Sequence, residues 1–443
     1  MVTSSEVYEW ILSFIKFGRD RSQRSAAIDR MRILADFAGH PEKCAPSIHV
    51  AGSKGKGSVT GMIASILDAH GIKTARYASP NVSDFRERVS LGSRFFDEET
   101  YCSAGMDLKQ IIEGRLHEME EPAFFELFTL WFFLCSRHAN CGAMAVETGM
   151  GGRLDATNIL DPVLSVITII ELEHTEYLGD TIAAIAGEKA GIIKNDRPLI
   201  LAEQKGEALA VFKEHAQKKN SPLIYFPEHA ETGNIDIDRR GTSFSLSIRN
   251  PKGGVSILND LFIPIPGEVQ AKNAALSILA SKTAFPEIGE SSIREGLSNF
   301  TLPARFECIS QNPLFIIDGA HTPESIDLCL KTFSSLYGSE GILIFGCAAK
   351  KDIASMAALC MPFFSRIIIT RPGTFKHSNP EEILTIFEQE GRKLSKPPTI
   401  YCIPDTDEAV ENAVNLALEH GLPILGAGSF YLAGEIRGKI APM

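Results

Sequence analysis

Several features are missing from this 443-residue chain, and each absence removes a class of function. It has no long hydrophobic run. The strongest apolar stretch, Phe128–Cys135, falls well short of the roughly 18–20 residues a membrane-spanning helix needs. Met1–Glu6 lacks the basic-then-apolar order of a secretory signal, so export is not expected. Positive charge is in deficit: 44 Lys and Arg stand against 55 Asp and Glu, a net charge of −11. That balance gives no electrostatic footprint for nucleic acid or an anionic membrane, and an anionic substrate would need a local basic pocket. The nine cysteines form no Cys-x-x-Cys pair and no regular spacing, which argues against a disulfide framework or a zinc site. They read as reduced thiols in a cytoplasmic setting, several of them buried as small hydrophobes. Internal repeats and low-complexity tracts are also absent.

What remains is ordinary globular composition, 44% hydrophobic and 22% charged. The length suggests two to four domains at roughly 100–200 residues each. The stretch up to Gly39 reads as helical, with Trp10, Phe14 and Phe17, then Ile28, Met31, Ala35 and Ala38, at helical spacing. Beyond it, short apolar runs alternate with amphipathic segments. Ile48–Ala51, Ala143–Val146, Leu164–Ile170 and Leu199–Leu201 read as strands. Val59, Met62, Ile63, Ile66 and Leu67 form a helical stripe. The alternation implies a parallel sheet with helices on both faces. Residues 241–263 differ: Phe244, Leu246 and Ile248 alternate with serines, as in a small antiparallel patch, before a helix at Asn273–Lys282. Thr301–Arg305 reads as a linker. Phe315–Ile317, Gly341–Phe345, Arg366–Thr370, Thr399–Ile403 and Pro423–Leu425 then begin a second α/β series. The expected division is 1–300 and 301–443.

Four places carry chemistry. Gly52-Ser53-Lys54-Gly55-Lys56-Gly57-Ser58 lies between a predicted strand and a predicted helix, the setting of a phosphate loop. There Gly55 and Gly57 would let backbone amides close on phosphate oxygens, Lys56 would reach the triphosphate, and Ser58 would ligate Mg²⁺. The pattern is not the common one, because Gly57 separates Lys56 from Ser58, and a flexible Gly/Lys turn is the plain alternative. Glu147 ends a strand ahead of the glycine-rich Gly149–Asn158 segment, where a carboxylate can hold a metal or simply face solvent. His174, just past another strand, is a metal-ligand or structural candidate. Asp318-Gly319-Ala320-His321 follows a strand and suits either a ligand cleft or a tight Asx turn. Lys189 by itself is an unremarkable helix lysine.

The ordered set of motifs resembles the folylpolyglutamate synthase and dihydrofolate synthase family of the Mur ligase superfamily. It runs from His49–Val59 through Ser79-Pro80, Phe85–Arg88, Glu147–Asn158, His174–Gly179 and Glu188–Lys194. It continues through Arg305–Glu307, Asp318–His321 and Gly428–Leu432. The resemblance implies a P-loop-type ATPase domain followed by a Rossmann-like domain. The implied activity is an ATP-dependent amide ligase that joins L-glutamate to dihydropteroate or folate through an acyl phosphate. It further implies ATP contacts at Gly55, Lys56, Gly57, Ser58, Gln270, Asn273, Arg305 and Asp318. One Mg²⁺ would sit on Ser58 and Glu147, and a second on His174 and Lys189, the lysine being carbamylated. Lys56, Lys189 and His321 would be catalytic. Ser79, Asp155, Asn158, His321 and Ser429 would face the folate or glutamate, with Asp155 and Asn158 in a mobile loop. No nucleic-acid or membrane partner is implied, and a monomer is expected.

Departures from the family pattern are Lys54 for a loop asparagine, Asn81 and Val269 for histidines, Thr322 for an asparagine, and Ala304 for the glycine of Pro-Gly-Arg. They blur the pterin and glutamate sites but remove no implied metal ligand. Another Mur-type amino-acid ligase, or a non-catalytic nucleotide-binding relative, are the competing readings.

Overall fold

A computed structural model describes residues 3–15, 27–249, 253–349, 351–373 and 378–440. Its first sheet has seven strands in the order β3-β2-β4-β1-β5-β6-β7. These are β1 (Ser47–Ala51), β2 (Thr74–Tyr77), β3 (Val89–Leu91), β4 (Ala143–Glu147), β5 (Leu164–Ile167), β6 (Leu199–Leu201) and β7 (Leu223–Tyr225). All pairings are parallel except β2 with β3. Alternate residues serve opposite faces, as strand geometry requires. Ala143 and Ala145 of β4 pack under the helices Lys56–Ala69, Glu268–Ala284 and Glu290–Ser298. Met144 and Val146 pack against Leu127, Trp131 and their neighbours on Phe124–His138. Both faces are therefore covered, the usual condition of a parallel sheet.

The helical stripe read from sequence lies on Lys56–Ala69, where Val59, Met62, Ile63, Ile66 and Leu67 are fully buried. Two expectations change. The apolar run Leu164–Ile170 is strand only to Ile167; beyond it Ile169 is exposed and its carbonyl accepts the Ser53 amide at 2.9 Å. Among the described residues the N-terminal stretch has the helices Ser4–Leu12 and Ala27–Phe37, and Phe17 lies outside the described residues.

The antiparallel patch has three strands, β8 (Ala230–Asp238), β9 (Gly241–Arg249) and β10 (Val255–Ile263), with β9 central. A third sheet starts at β11 (Glu307–Gln311), which is antiparallel to β12 (Leu314–Ile317). The parallel strands β13 (Ile342–Phe345), β14 (Arg366–Ile369), β15 (Thr399–Cys402) and β16 (Ile424–Ala427) complete the order β11-β12-β16-β13-β14-β15. Ile316, Leu343 and Phe345 face one helical layer, and Phe315, Ile317, Ile342 and Ile344 face the other. The molecule is thus two α/β domains with a small antiparallel sheet on the first.

The domains meet where the Ser79–Arg88 stretch leans on the helix Phe430–Ile440. Val82 packs against the second domain's core. Arg437 ties the two sides, its Nη1 donating to Ser83 Oγ and its Nε to Glu307 Oε1, both at 2.9 Å. Gly434 makes the approach possible, because a Cβ there would run into the Val82 carbonyl. Gly434→Ala is expected to destabilise the chain by roughly 1–3 kcal/mol through overpacking against rigid backbone. Urea denaturation checks this, and an unchanged midpoint would refute the contact.

Candidate active site

The chain ends of three adjacent strands, β4, β1 and β5, converge on one edge of the first sheet. This is the position at which open α/β sheets bind ligands. From β1 the chain enters the glycine loop and then the helix Lys56–Ala69. Gly55 caps that helix with φ +84°, the left-handed region, and a Cβ there would sit 2.6 Å from Asn273 Oδ1. The backbone conformation is what favours glycine here. Asn273 in turn donates from Nδ2 to Gln270 Oε1 at 3.3 Å, which links two of the implied ATP contacts beside the loop. Lys56 folds back, its ammonium donating to the carbonyls of Gly52 at 2.8 Å and Ser53 at 3.3 Å. The helix N-terminus behind it is a ready anion site.

Glu147 is the last residue of β4 and is 3% exposed. Its Oε2 accepts the Ser79 amide at 3.2 Å and would lie 3.4 Å from a Cβ on Gly57. Burial pushes its carboxyl above the ordinary range, opposed by Lys56, the Ser79 amide, Arg305 and Arg76. Ser58, also 3% exposed, opens the neighbouring helical turn. Lys189 is 1% exposed and donates to Gly52 O and Glu173 Oε1, each at 2.7 Å. Burial, reinforced by Lys56, lowers its ammonium to about 8. Burial would raise the Glu173 carboxyl, but Lys56 and Lys189 outweigh it and hold it below the usual range. His174 follows at φ +48° and is exposed on the rim. Among the described residues no three His, Cys, Asp or Glu side chains form a metal cage. The oxygen donors Ser58 and Glu147 nonetheless fit Mg²⁺, which takes one or two protein oxygens and completes its shell with phosphate and water.

The second domain presents its own strand ends, β12 and its neighbour β16. Asp318 accepts the Phe306 amide at 2.8 Å and the Ala320 amide at 2.7 Å. The Asx-turn reading is therefore correct for this aspartate, which also lines the cleft with Arg305. The Arg305 guanidinium lies 4.1 Å over the Phe430 ring. His321 Nδ1 is 2.8 Å from Gly319 O, and its ring meets Phe430 edge-on at 5.6 Å. A carbonyl only accepts, so the ring proton sits on Nδ1 and Nε2 is left as an acceptor. Burial, then Lys54, lowers His321 to about 3, so the ring is neutral at working pH. Ser429 Oγ accepts the Tyr431 amide at 3.1 Å at the start of the last helix.

Two residues sit differently from what the resemblance implied. Asp155 lines the cleft, but its carboxylate is engaged by the Gly149, Met150 and Thr157 amides, each at 3.0 Å, and by the Thr157 hydroxyl. Asn158 does not line the cleft: its Nδ2 donates to Arg153 O and Gly191 O, both at 3.1 Å. Both side chains organise the glycine segment. Sequence reasoning gave no role to Glu173, whose signal was its place beside His174. Nor did it assign Arg88, which lies 5.7 Å over Phe124 and 5.6 Å over Phe128 on the cleft wall.

One continuous cleft of about 1920 Å³ joins all of these walls. A single-ligand pocket is typically about 300–1,000 Å³, so the cleft has room for a nucleotide and a second substrate together. Residues 50–281 match the Mur ligase middle domain, and residues 304–430 match the Mur ligase glutamate ligase domain. Folylpolyglutamate synthase of Lacticaseibacillus casei is 30% identical over 446 residues, covering 98% of this chain and 97% of that one. The chain belongs to the folylpolyglutamate synthase/dihydrofolate synthase family. A probable bifunctional folylpolyglutamate synthase/dihydropteroate synthase of Haloferax volcanii is 30% identical over 441 residues; this chain spans 50% of its length. A solved FPGS–AMPPCP–folate complex superposes with a TM-score of 0.80 at 27% identity, covering 98% of this chain and 99% of that one. Within this family frame, one wall of the cleft belongs to the middle domain and the other to the glutamate ligase domain.

Proposed function

We propose that this chain is an ATP-dependent carboxylate–amine ligase that adds L-glutamate to dihydropteroate, to reduced folates, or to both. The observation that carries the reading is the single cleft in which Lys56, Ser58 and Glu147 face Arg305, Asp318 and His321, with Lys189 buried behind the glycine loop and donating to Gly52 O. A carboxylate is a poor electrophile at neutral pH. The acceptor carboxylate, that of dihydropteroate or of a reduced folate's glutamyl tail, attacks the γ-phosphorus of ATP and ADP leaves; the glutamate amine then attacks the carbonyl carbon of the acyl phosphate, loses a proton and expels phosphate. The protein's part is to align anions and offset their charge. Lys56 and the loop amides hold the triphosphate. Arg305 and Asp318 approach the nucleotide from the second domain. Between the two domains, water is kept from the acyl phosphate. Bound on Ser58 and Glu147, Mg²⁺ would supply Lewis-acid charge to the phosphoryl oxygens. Lys189, carbamylated, would hold a second ion with His174; its burial and lowered ammonium favour the neutral amine that carbamylation needs. All nine cysteines are free thiols, which supports a reducing, cytoplasmic setting.

The test is glutamate-dependent ADP release by the purified protein, with dihydropteroate and tetrahydrofolate offered separately and products weighed. One added glutamyl mass is expected with at least one acceptor, and chelating Mg²⁺ should abolish it. Silence with both acceptors, despite bound ATP, would reject the reading.

A further inference from the structure

Two of the departures from the family pattern touch each other. Lys54 stands in the glycine loop of the first domain and Thr322 opens the helix Pro323–Tyr337 of the second. The Lys54 ammonium donates to Thr322 Oγ1 at 3.3 Å across the cleft. An ammonium has three protons to place, and among the described residues this neutral hydroxyl is the acceptor that Lys54 meets. Lys56, two positions on, points back to its own loop carbonyls. The two lysines of one loop therefore have different partners, Lys54 in the second domain and Lys56 in its own loop.

L-Glutamate brings two carboxylates and one ammonium to this reaction, so its site needs a cation that phosphate does not already claim. Arg305 is stacked on Phe430 and faces Asp318. His321 is held neutral, so it can accept a hydrogen bond but supplies no charge. Lys351 lines the same part of the cleft, as do Glu171 and Glu324, the latter two suited to an ammonium. On this ground we infer that Lys54, standing against Thr322 with Lys351 nearby, receives a carboxylate of the incoming glutamate and helps set amino-acid specificity. This rests on the ligase reading above. In the second domain His321 Nε2 is then left to accept from the amino group.

The experiment is a steady-state comparison of the full chain with Lys54→Met, Lys54→Arg and Lys351→Ala, varying glutamate and ATP separately. Losing a charge-assisted hydrogen bond should raise KM for glutamate roughly 10–100-fold in Lys54→Met. The KM for ATP should move much less, and Lys54→Arg should recover most of the loss. Lys351→Ala, in the other domain, should shift glutamate KM in the same direction. If KM for ATP rises as much as that for glutamate, Lys54 is a phosphate ligand and the inference is overturned. A fall in kcat with glutamate KM unmoved overturns it as well. An inactive wild-type protein would instead strike at the ligase reading itself.

Discussion

Lys56→Ala is expected to lower ligation turnover by roughly 10²–10³-fold or more, the scale of removing one preorganised charge-stabilising donor. The residue lies at the mouth of the glycine loop, where its ammonium bonds two backbone carbonyls. Those carbonyls are neutral acceptors, and a phosphate oxygen is a stronger partner for a cation. The ammonium is therefore available to the nucleotide once it binds. Its removal also changes the neighbours, since Lys56 holds down the carboxyls of Glu147 and Glu173. Single-turnover ADP formation with saturating acceptor and glutamate measures the effect. Turnover within tenfold of wild type would remove the nucleotide-loop assignment.

Lys189→Ala should cost a similar order of turnover, with a diagnostic difference. As a plain ammonium, Lys189 ties Gly52 O to Glu173 and so joins the glycine loop to the segment that carries His174. As a carbamate it would present oxygens in that same place. The two roles separate by chemical rescue. Small carboxylic acids such as acetate or propionate can occupy the vacated volume and supply oxygens, and partial recovery is expected with millimolar acid. They cannot restore an ammonium. A mutant that folds, loses activity and ignores carboxylic acids would leave Lys189 as a structural tie. Wild-type-like activity would exclude both roles.

How much of this was legible in the sequence depended on whether a signal was local. Glu147, Lys56 and Asp318 follow apolar runs that end in polar residues, and strand ends are where such sheets place chemistry. β8 was missed because Ala230–Asp238 is mostly polar and only Ala230 of it is buried. The run Leu164–Ile170 overstated β5, because an apolar residue past the ladder looks the same as one within it. Ala304, which stands where the family pattern has the glycine of Pro-Gly-Arg, adopts φ +53°, a conformation that glycine takes without strain. Asn158 and Asp155 could not be placed from sequence, since their roles depend on which backbone groups a folded loop brings near them. The meeting of Lys54 with Thr322 spans 268 positions and needed the fold.

The Asp155 carboxylate has one more consequence. It collects three backbone amides and a hydroxyl, and that hydroxyl is also 2.8 Å from His49 Nε2 on the buried β1. The glycine segment beside the cleft is thereby ordered when the chain folds and not when a ligand arrives. Fixing a residue's backbone costs about 1–2 kcal/mol of conformational entropy, and here that loss falls within the stability of the apoprotein. A ligand that binds against this segment meets a preorganised wall, so its affinity carries little of the ordering cost that a slack glycine loop would impose.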